Sequence, residues 1–219
     1  MKKLLYVPVN TKPENMSTSK TVGREFINRF LAKNPDYELI ENDICNEYVP
    51  ELNYKYYKDR AELVSGEDYD KLGQEEKQAV DRIKELSDQF VSADAYVIAA
   101  PMWDAFFPAR LITYIDCVIQ KDKVIKINDD EVGGLLNDKK RVAVYIQSSG
   151  GVFPRILSGK INHGTEYLQD IFNFIGIKDF HKLMVTGTGK DEIGVEGAEE
   201  KAFEEMDKII EKMSDYAFV

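Results

Sequence analysis

Continuous apolar runs alternate along this chain with stretches in which apolar residues return every three or four positions. The first run covers residues 4–9. Residues 17–32 then place Val22, Phe26, Ile27 and Phe30 on one side of a helix. Residues 37–44 alternate as a strand does. A helix over residues 75–90 carries Val80, Ile83, Leu86 and Phe90, and a third strand follows at residues 95–100. Residues 111–119 are helical, with Leu111, Tyr114, Ile115 and Val118 on one stripe. A fourth strand spans residues 141–147, a helix residues 165–174 and a fifth strand residues 180–186. The last helix aligns Ala202, Met206, Ile209, Ile210 and Met213.

Strands separated by helices imply a parallel sheet joined by right-handed crossovers. Five strands and five helices in this order predict an α/β fold of flavodoxin-like form. Its five-stranded parallel sheet has order 2-1-3-4-5 and helices on both faces. A longer dinucleotide-binding fold needs a sixth strand. The expectation is one domain over residues 1–219, with an excursion at about residues 52–72 between the second strand and the following helix. That excursion contains Asn53-Tyr54-Lys55-Tyr56-Tyr57-Lys58-Asp59-Arg60. A connection of such length is either functional or has its own structure. A surface helix with exposed aromatics and a cap or dimer contact are equally consistent with it.

Composition narrows the partners. The chain has 219 residues and a net charge of −10, which argues against nucleic acid, since phosphate backbones demand clustered Lys and Arg. Two cysteines, Cys45 and Cys117, lie far apart and outside any CxxC pattern, so a reducing cytoplasm is the expected location. Cys117, among Tyr114, Ile115 and Val118, reads as a small buried hydrophobe. The apolar run at the N-terminus is too short for a signal peptide, and no stretch is long enough for a membrane span.

Chemistry is expected at strand ends, where open α/β sheets bind ligands. Three loops stand out. After the first strand come Asn10-Thr11-Lys12-Pro13-Glu14-Asn15-Met16-Ser17-Thr18-Ser19-Lys20, with hydroxyl residues gathered where a helix begins. Free N–H groups of a helix N-terminus attract an anion, the hydroxyls add donors, and Lys20 adds charge. The plainer reading is that Ser17 caps the helix. After the third strand, Pro101-Met102-Trp103-Asp104-Ala105-Phe106-Phe107-Pro108 offers a flexible Met, a flat Trp and an acid, either for an aromatic cofactor or as a turn with a partly buried Trp. After the fourth strand, Ser148-Ser149-Gly150-Gly151 lets backbone approach a ligand, or is simply a flexible connection. Each loop is a weak signal; together they occupy neighbouring strand ends.

Other sites fail on spacing. Gly187-Thr188-Gly189-Lys190-Asp191 lacks the upstream Gly of a P-loop, where Met184 stands, and the hydroxyl after Lys190. Glu192 occupies the last place of a GxGxxG pattern. His163 and His181 have no metal-ligand partners at useful spacing. No GxSxG elbow is present. The acidic run Asp129-Asp130-Glu131 reads as solvated loop.

The three loops in this order resemble the FMN-dependent NADH:azoreductase/quinone reductase family. Pro101-Met102-Trp103-Asp104-Ala105 is similar to the family's Pro-Met-Tyr-Asn-Phe, and Ser148-Ser149-Gly150-Gly151 to its Ser/Ala-Arg-Gly-Gly. Ser17-Thr18-Ser19 matches its Ser-x-Ser, and the helix from Pro108 to Asp116 follows its Pro-x-x-Leu-x-x-Tyr-x-Asp. The resemblance implies that Asn10, Ser17, Thr18 and Ser19 hold the FMN phosphate. It places Pro101, Met102, Trp103, Asp104 and Ala105 along the isoalloxazine, and Ser148, Ser149, Gly150 and Gly151 at its pyrimidine edge. No side chain need act as a catalytic acid, and no metal is implied, because the flavin carries the chemistry. The implied reaction is ping-pong, two-electron transfer from NADH or NADPH to a quinone or azo compound, in a homodimer.

Three positions depart from the family pattern. Asp104 replaces its Asn and Ala105 its Phe; a carboxylate there disfavours added negative charge on a reduced flavin and lowers its potential. Ser149 replaces its Arg. Ile125-Lys126-Ile127 stands where the family has a Phe-x-Tyr pair. These changes motivate the alternative of an FMN-binding electron carrier or sensor without reductase turnover.

Overall fold

The computed structural model describes residues 1–128, 131–152 and 162–216. Its main sheet has five parallel strands: β1 Lys2–Pro8, β2 Tyr37–Glu41, β5 Ala95–Pro101, β8 Val142–Ser149 and β9 Asp179–Thr186. Their order is β2-β1-β5-β8-β9, the order 2-1-3-4-5 expected from the sequence. The helices are α1 Thr18–Lys33, α2 Glu67–Asp70, α3 Gln74–Ser92, α4 Arg110–Val118, α5 His163–Ile175 and α6 Gly194–Tyr216.

Strand side chains alternate between two cores, because successive Cβ atoms leave opposite faces of a sheet. Leu4, Tyr6, Val97, Ala99, Val144 and Ile146 pack beneath α1 and α6, against Phe26, Phe30, Met206 and Ile210. Leu5, Val7, Tyr96, Ile98, Ala143 and Tyr145 pack beneath α3, α4 and α5, against Ile83, Phe90, Leu111 and Phe172. Two covered faces explain why the central strands read as unbroken apolar runs.

The second strand is shorter than its pattern suggests. Asn42 still donates its amide to the Tyr6 carbonyl, but the chain then folds back, with the Ile44 amide on the Asn42 carbonyl. Ile44 is therefore buried from a turn rather than from a strand. Excursion residues 52–72 hold a 3-10 turn at Tyr54–Tyr56, a small antiparallel pair and the single-turn α2. The pair joins β3 Tyr57–Asp59 to β4 Glu62–Leu63. A second pair, β6 Ile125–Ile127 with β7 Val132–Gly134, forms where no strand was expected.

Candidate functional site

The carboxyl ends of β1, β5 and β8 lie side by side, so the three singled-out loops meet along one edge. In the first loop Ser17 is the N-cap of α1. Its Oγ accepts a hydrogen bond from Asn10 Nδ2 at 2.9 Å and lies 3.3 Å from Ser19 Oγ. Asn10 Oδ1 in turn accepts the Lys12 amide at 3.0 Å and shapes the turn. Asn10, Ser17 and Ser19 are all buried. The amides of Thr18 and Ser19, in the first turn of α1, have no helical acceptor. Lys20 departs from expectation. Its ammonium sits 3.1 Å from Asp43 Oδ2 and 3.4 Å from the Asn10 carbonyl, so its charge is spent on Asp43. The donors left at the start of α1 are backbone amides and hydroxyls.

The second loop is a tight turn. Trp103 and Phe106 exchange backbone hydrogen bonds of 2.9 and 2.8 Å around two residues of positive φ, Asp104 at 48° and Ala105 at 62°. Positive φ at both central positions defines a type I′ turn. Asp tolerates that region, whereas Ala105 costs about 1 kcal/mol there. Ala105→Gly is therefore expected to raise the free energy of unfolding in urea by up to about 1 kcal/mol. An unchanged or lower value would show that the turn is not strained.

Two contacts aim this turn. Met102 donates its amide to the Ser148 carbonyl at 2.7 Å, and the His163 amide donates to the Ala105 carbonyl at 3.0 Å. Phe106 and Phe107 pack on Tyr167, with ring centroids 5.7 and 6.0 Å apart. Gly164 permits this approach, since a Cβ there would lie 2.8 Å from Phe107 Cδ1 and 3.1 Å from the Phe106 carbonyl carbon. The amides of Asp104 and Ala105 have no acceptor among the described residues. Trp103 is half exposed.

In the third loop the strand runs two residues further than expected, to Ser149, and both Ser148 and Ser149 are buried. Ser149 Oγ donates to the Gly151 carbonyl at 3.0 Å. The Ser149 carbonyl accepts the amides of Gly187 and Thr188, and the Gly150 carbonyl accepts that of Gly189. Gly187-Thr188-Gly189, rejected above as a nucleotide loop, thus braces Gly150 and Gly151. Gly187 has φ +87°, which favours glycine. Phe153, two residues beyond Gly151, lies outside the described residues, as do Asp129 and Asp130 of the acidic run.

A buried polar network under this edge gave no sequence signal. Gln147 Nε2 donates to Tyr145 OH at 3.0 Å, and Gln147 Oε1 accepts from Asn162 Nδ2 and, at 3.4 Å, from Thr165 Oγ1. Asn162 Oδ1 accepts the Thr165 amide and caps α5. The network ties β8 to the start of α5, and hence to the Ala105 carbonyl.

Cys117 matches the plain reading. It is fully buried, its thiol donates to the Pro50 carbonyl at 3.3 Å, and burial pushes its pKa up to about 12. Among the described residues no three His, Cys, Asp or Glu side chains could hold a metal, and no helix is long and apolar enough to cross a membrane.

This fold and edge define a class: residues 2–210 match the family model of the flavodoxin-like fold, and the chain belongs to that family. Its relatives are more particular. It is 58% identical over 219 residues to FMN-dependent NADH:quinone oxidoreductase 1 of Clostridium acetobutylicum, covering 100% of this chain and 99% of the relative. It is 48% identical over 212 residues to the FMN-dependent NADH:quinone oxidoreductase of Clostridium botulinum strain Eklund 17B, covering 96% and 99%. An FMN-dependent NADH-azoreductase from Bacillus anthracis, solved with FMN, superposes with a TM-score of 0.78 at 23% identity, covering 96% of this chain and all of that one. At that identity the likeness concerns the fold.

Proposed function

We propose that this protein is an FMN-dependent NADH:quinone oxidoreductase that also reduces azo compounds. The observation that carries the reading is the meeting of three strand-end loops on one edge, two of them with unengaged backbone amides, in a chain 58% identical to an enzyme of that name. The residues fit the cofactor. Asn10, Ser17, Thr18 and Ser19 offer hydroxyls, an amide side chain and two free helix-terminal amides to a phosphate. Pro101, Met102 and Trp103 lead to the Asp104 and Ala105 amides, which have no acceptor among the described residues and would hydrogen-bond a flat heterocycle. Ser148, Ser149, Gly150 and Gly151, held rigid by residues 187–189, would close its far edge. Bound FMN would supply the redox chemistry, taking a hydride from NADH and passing two electrons to the acceptor.

The protein's own part is orientation. The turn and the braced glycines keep their donors in place before the cofactor arrives, so little ordering is left to be done on binding. We place this site in one domain of residues 1–219, in a cytoplasmic homodimer. The half-exposed Leu52 and largely exposed Tyr54 of the excursion, beside a cavity of about 440 Å³ that Tyr57 and Ile119 also line, support a contact between protomers there.

The test is the visible spectrum after incubation with FMN and desalting, followed by anaerobic NADH. A retained flavin spectrum that bleaches, with parallel-line steady-state kinetics, is expected. Retained colour that neither NADH nor NADPH bleaches would favour a carrier or sensor. A colourless protein would sink both readings.

A further inference from the structure

Beside the cradle lies a cavity of about 300 Å³, bounded by Asn10, Thr11, Cys45, Trp103, Pro108–Ala109 and Arg110. Its walls differ from those of the phosphate cradle. Trp103, Pro108 and Ala109 are apolar surfaces, and only Asn10 is shared. Among the described residues that line it, the one cation is Arg110. Arg110 Nε donates to the Ile44 carbonyl at 2.8 Å and Nη2 to the Glu47 carbonyl at 3.1 Å. These bonds fix the guanidinium but do not neutralise it, and Nη1 has no partner among the described residues.

The neighbouring carboxylates are already engaged. Asp43 holds Lys20 at 3.1 Å and Glu47 holds Arg82 at 2.6 Å. Burial, helped by Asp43, pushes the Cys45 thiol up, so it stays neutral. Asp104, next to Trp103, is not part of the cavity wall. On a chain of net charge −10, an oriented arginine without an ion pair among the described residues is, in a concave site, a local reversal of sign.

We propose that this cavity seats the anionic group of an aromatic electron acceptor, and that Arg110 selects acceptors bearing a carboxylate or sulfonate. The inference rests on the reductase reading above. A free phosphate dianion would need more donors than one guanidinium edge. An aromatic acid needs one cation and flat apolar walls, which are what Arg110, Trp103 and Pro108 provide.

Trp103 is the chain's single tryptophan, so its fluorescence reports occupancy without turnover. The probes are 4-phenylazobenzoate and its neutral isostere 4-phenylazobenzamide, titrated into the FMN-loaded protein. The native protein is expected to bind the carboxylate at least about tenfold more tightly, a preference abolished by about 1 M salt. Arg110→Gln should bring the ratio of the two affinities, and of the two kcat/KM values, close to one. Arg110→Lys should retain most of the preference, because it keeps the charge while changing the bonds to Ile44 and Glu47. Equal native affinities, a salt-independent ratio, or a ratio untouched by Arg110→Gln would overturn the proposal. So would a Trp103 signal that appears only without FMN, since the cavity would then belong to the cofactor. A protein that retains no FMN yet keeps the tenfold preference would overturn the reductase reading and leave the anion pocket standing.

Discussion

Ser17→Asp is expected to abolish retention of FMN while leaving the fold as stable as before. Aspartate caps helices as well as serine does, and a negative charge at the N-terminus of α1 is favourable by several tenths of a kcal/mol. The Asp carboxylate can accept the bonds that Ser17 Oγ now accepts from Asn10 Nδ2 and the Lys20 amide. The melting temperature should therefore hold or rise slightly. A phosphate in the same cradle would meet that carboxylate at about 4 Å. There each pair of unit charges costs on the order of 4 kcal/mol at the screening typical of a protein surface. Even with half of that lost to solvent, the two charges of the phosphate together lose about 4 kcal/mol, so the affinity for FMN should fall by at least about 100-fold. Lys20 cannot relieve the repulsion, since its ammonium is committed to Asp43. Riboflavin lacks the phosphate and is the control; its affinity should change by less than about threefold. Flavin fluorescence titrations of both ligands, with thermal melts, decide the matter. Unchanged FMN affinity in a folded Ser17→Asp protein would place the phosphate elsewhere.

The start of α1 was legible because its determinants are local. Ser17, Thr18 and Ser19 follow a proline-containing turn and open a helix, and nothing distant is needed to read Ser17 as its cap. The sheet was legible for a similar reason. Residues 95–100 are apolar without interruption because α1 covers one face and α3, α4 and α5 the other, and that burial is written into every position. Elements that depend on partners remote in sequence were not legible. Asp43 is 23 residues from Lys20, yet it decides whether Lys20 offers charge to a ligand. The turn at Asp104-Ala105 lacks the Asn-Gly signature of its type, so the sequence shows a break without showing that both residues turn left-handed. The β6–β7 pair has three-residue strands, too short for a period to emerge.

The Gln147 network is the plainest case of remote dependence, and it carries the second large effect. Gln147 is fully buried at the end of β8, 15 residues from Asn162 and 18 from Thr165. Read along the chain, these are three unrelated polar residues. In the fold they satisfy one another, as buried polar groups must. Gln147→Leu keeps nearly the same volume but strands the Asn162 amide group and the hydroxyls of Thr165 and Tyr145. Each such group costs about 1 to 3 kcal/mol, so a total on the order of 3 kcal/mol is expected, or roughly 6 to 12 °C in melting temperature for a chain of this size. Tyr145→Phe removes one partner only and should cost about 1 kcal/mol. The damage should also reach the site. Asn162 caps α5, and the first amide of α5 holds the Ala105 carbonyl, so loosening Asn162 frees the Trp103–Phe106 turn. FMN affinity should drop about tenfold, with a red-shifted, more solvent-exposed Trp103 emission. Should Gln147→Leu melt within about 2 °C of the native protein, with its emission unmoved, the turn would be held by the Met102–Ser148 bond and aromatic packing alone. The coupling from Gln147 to the flavin edge would then be discarded.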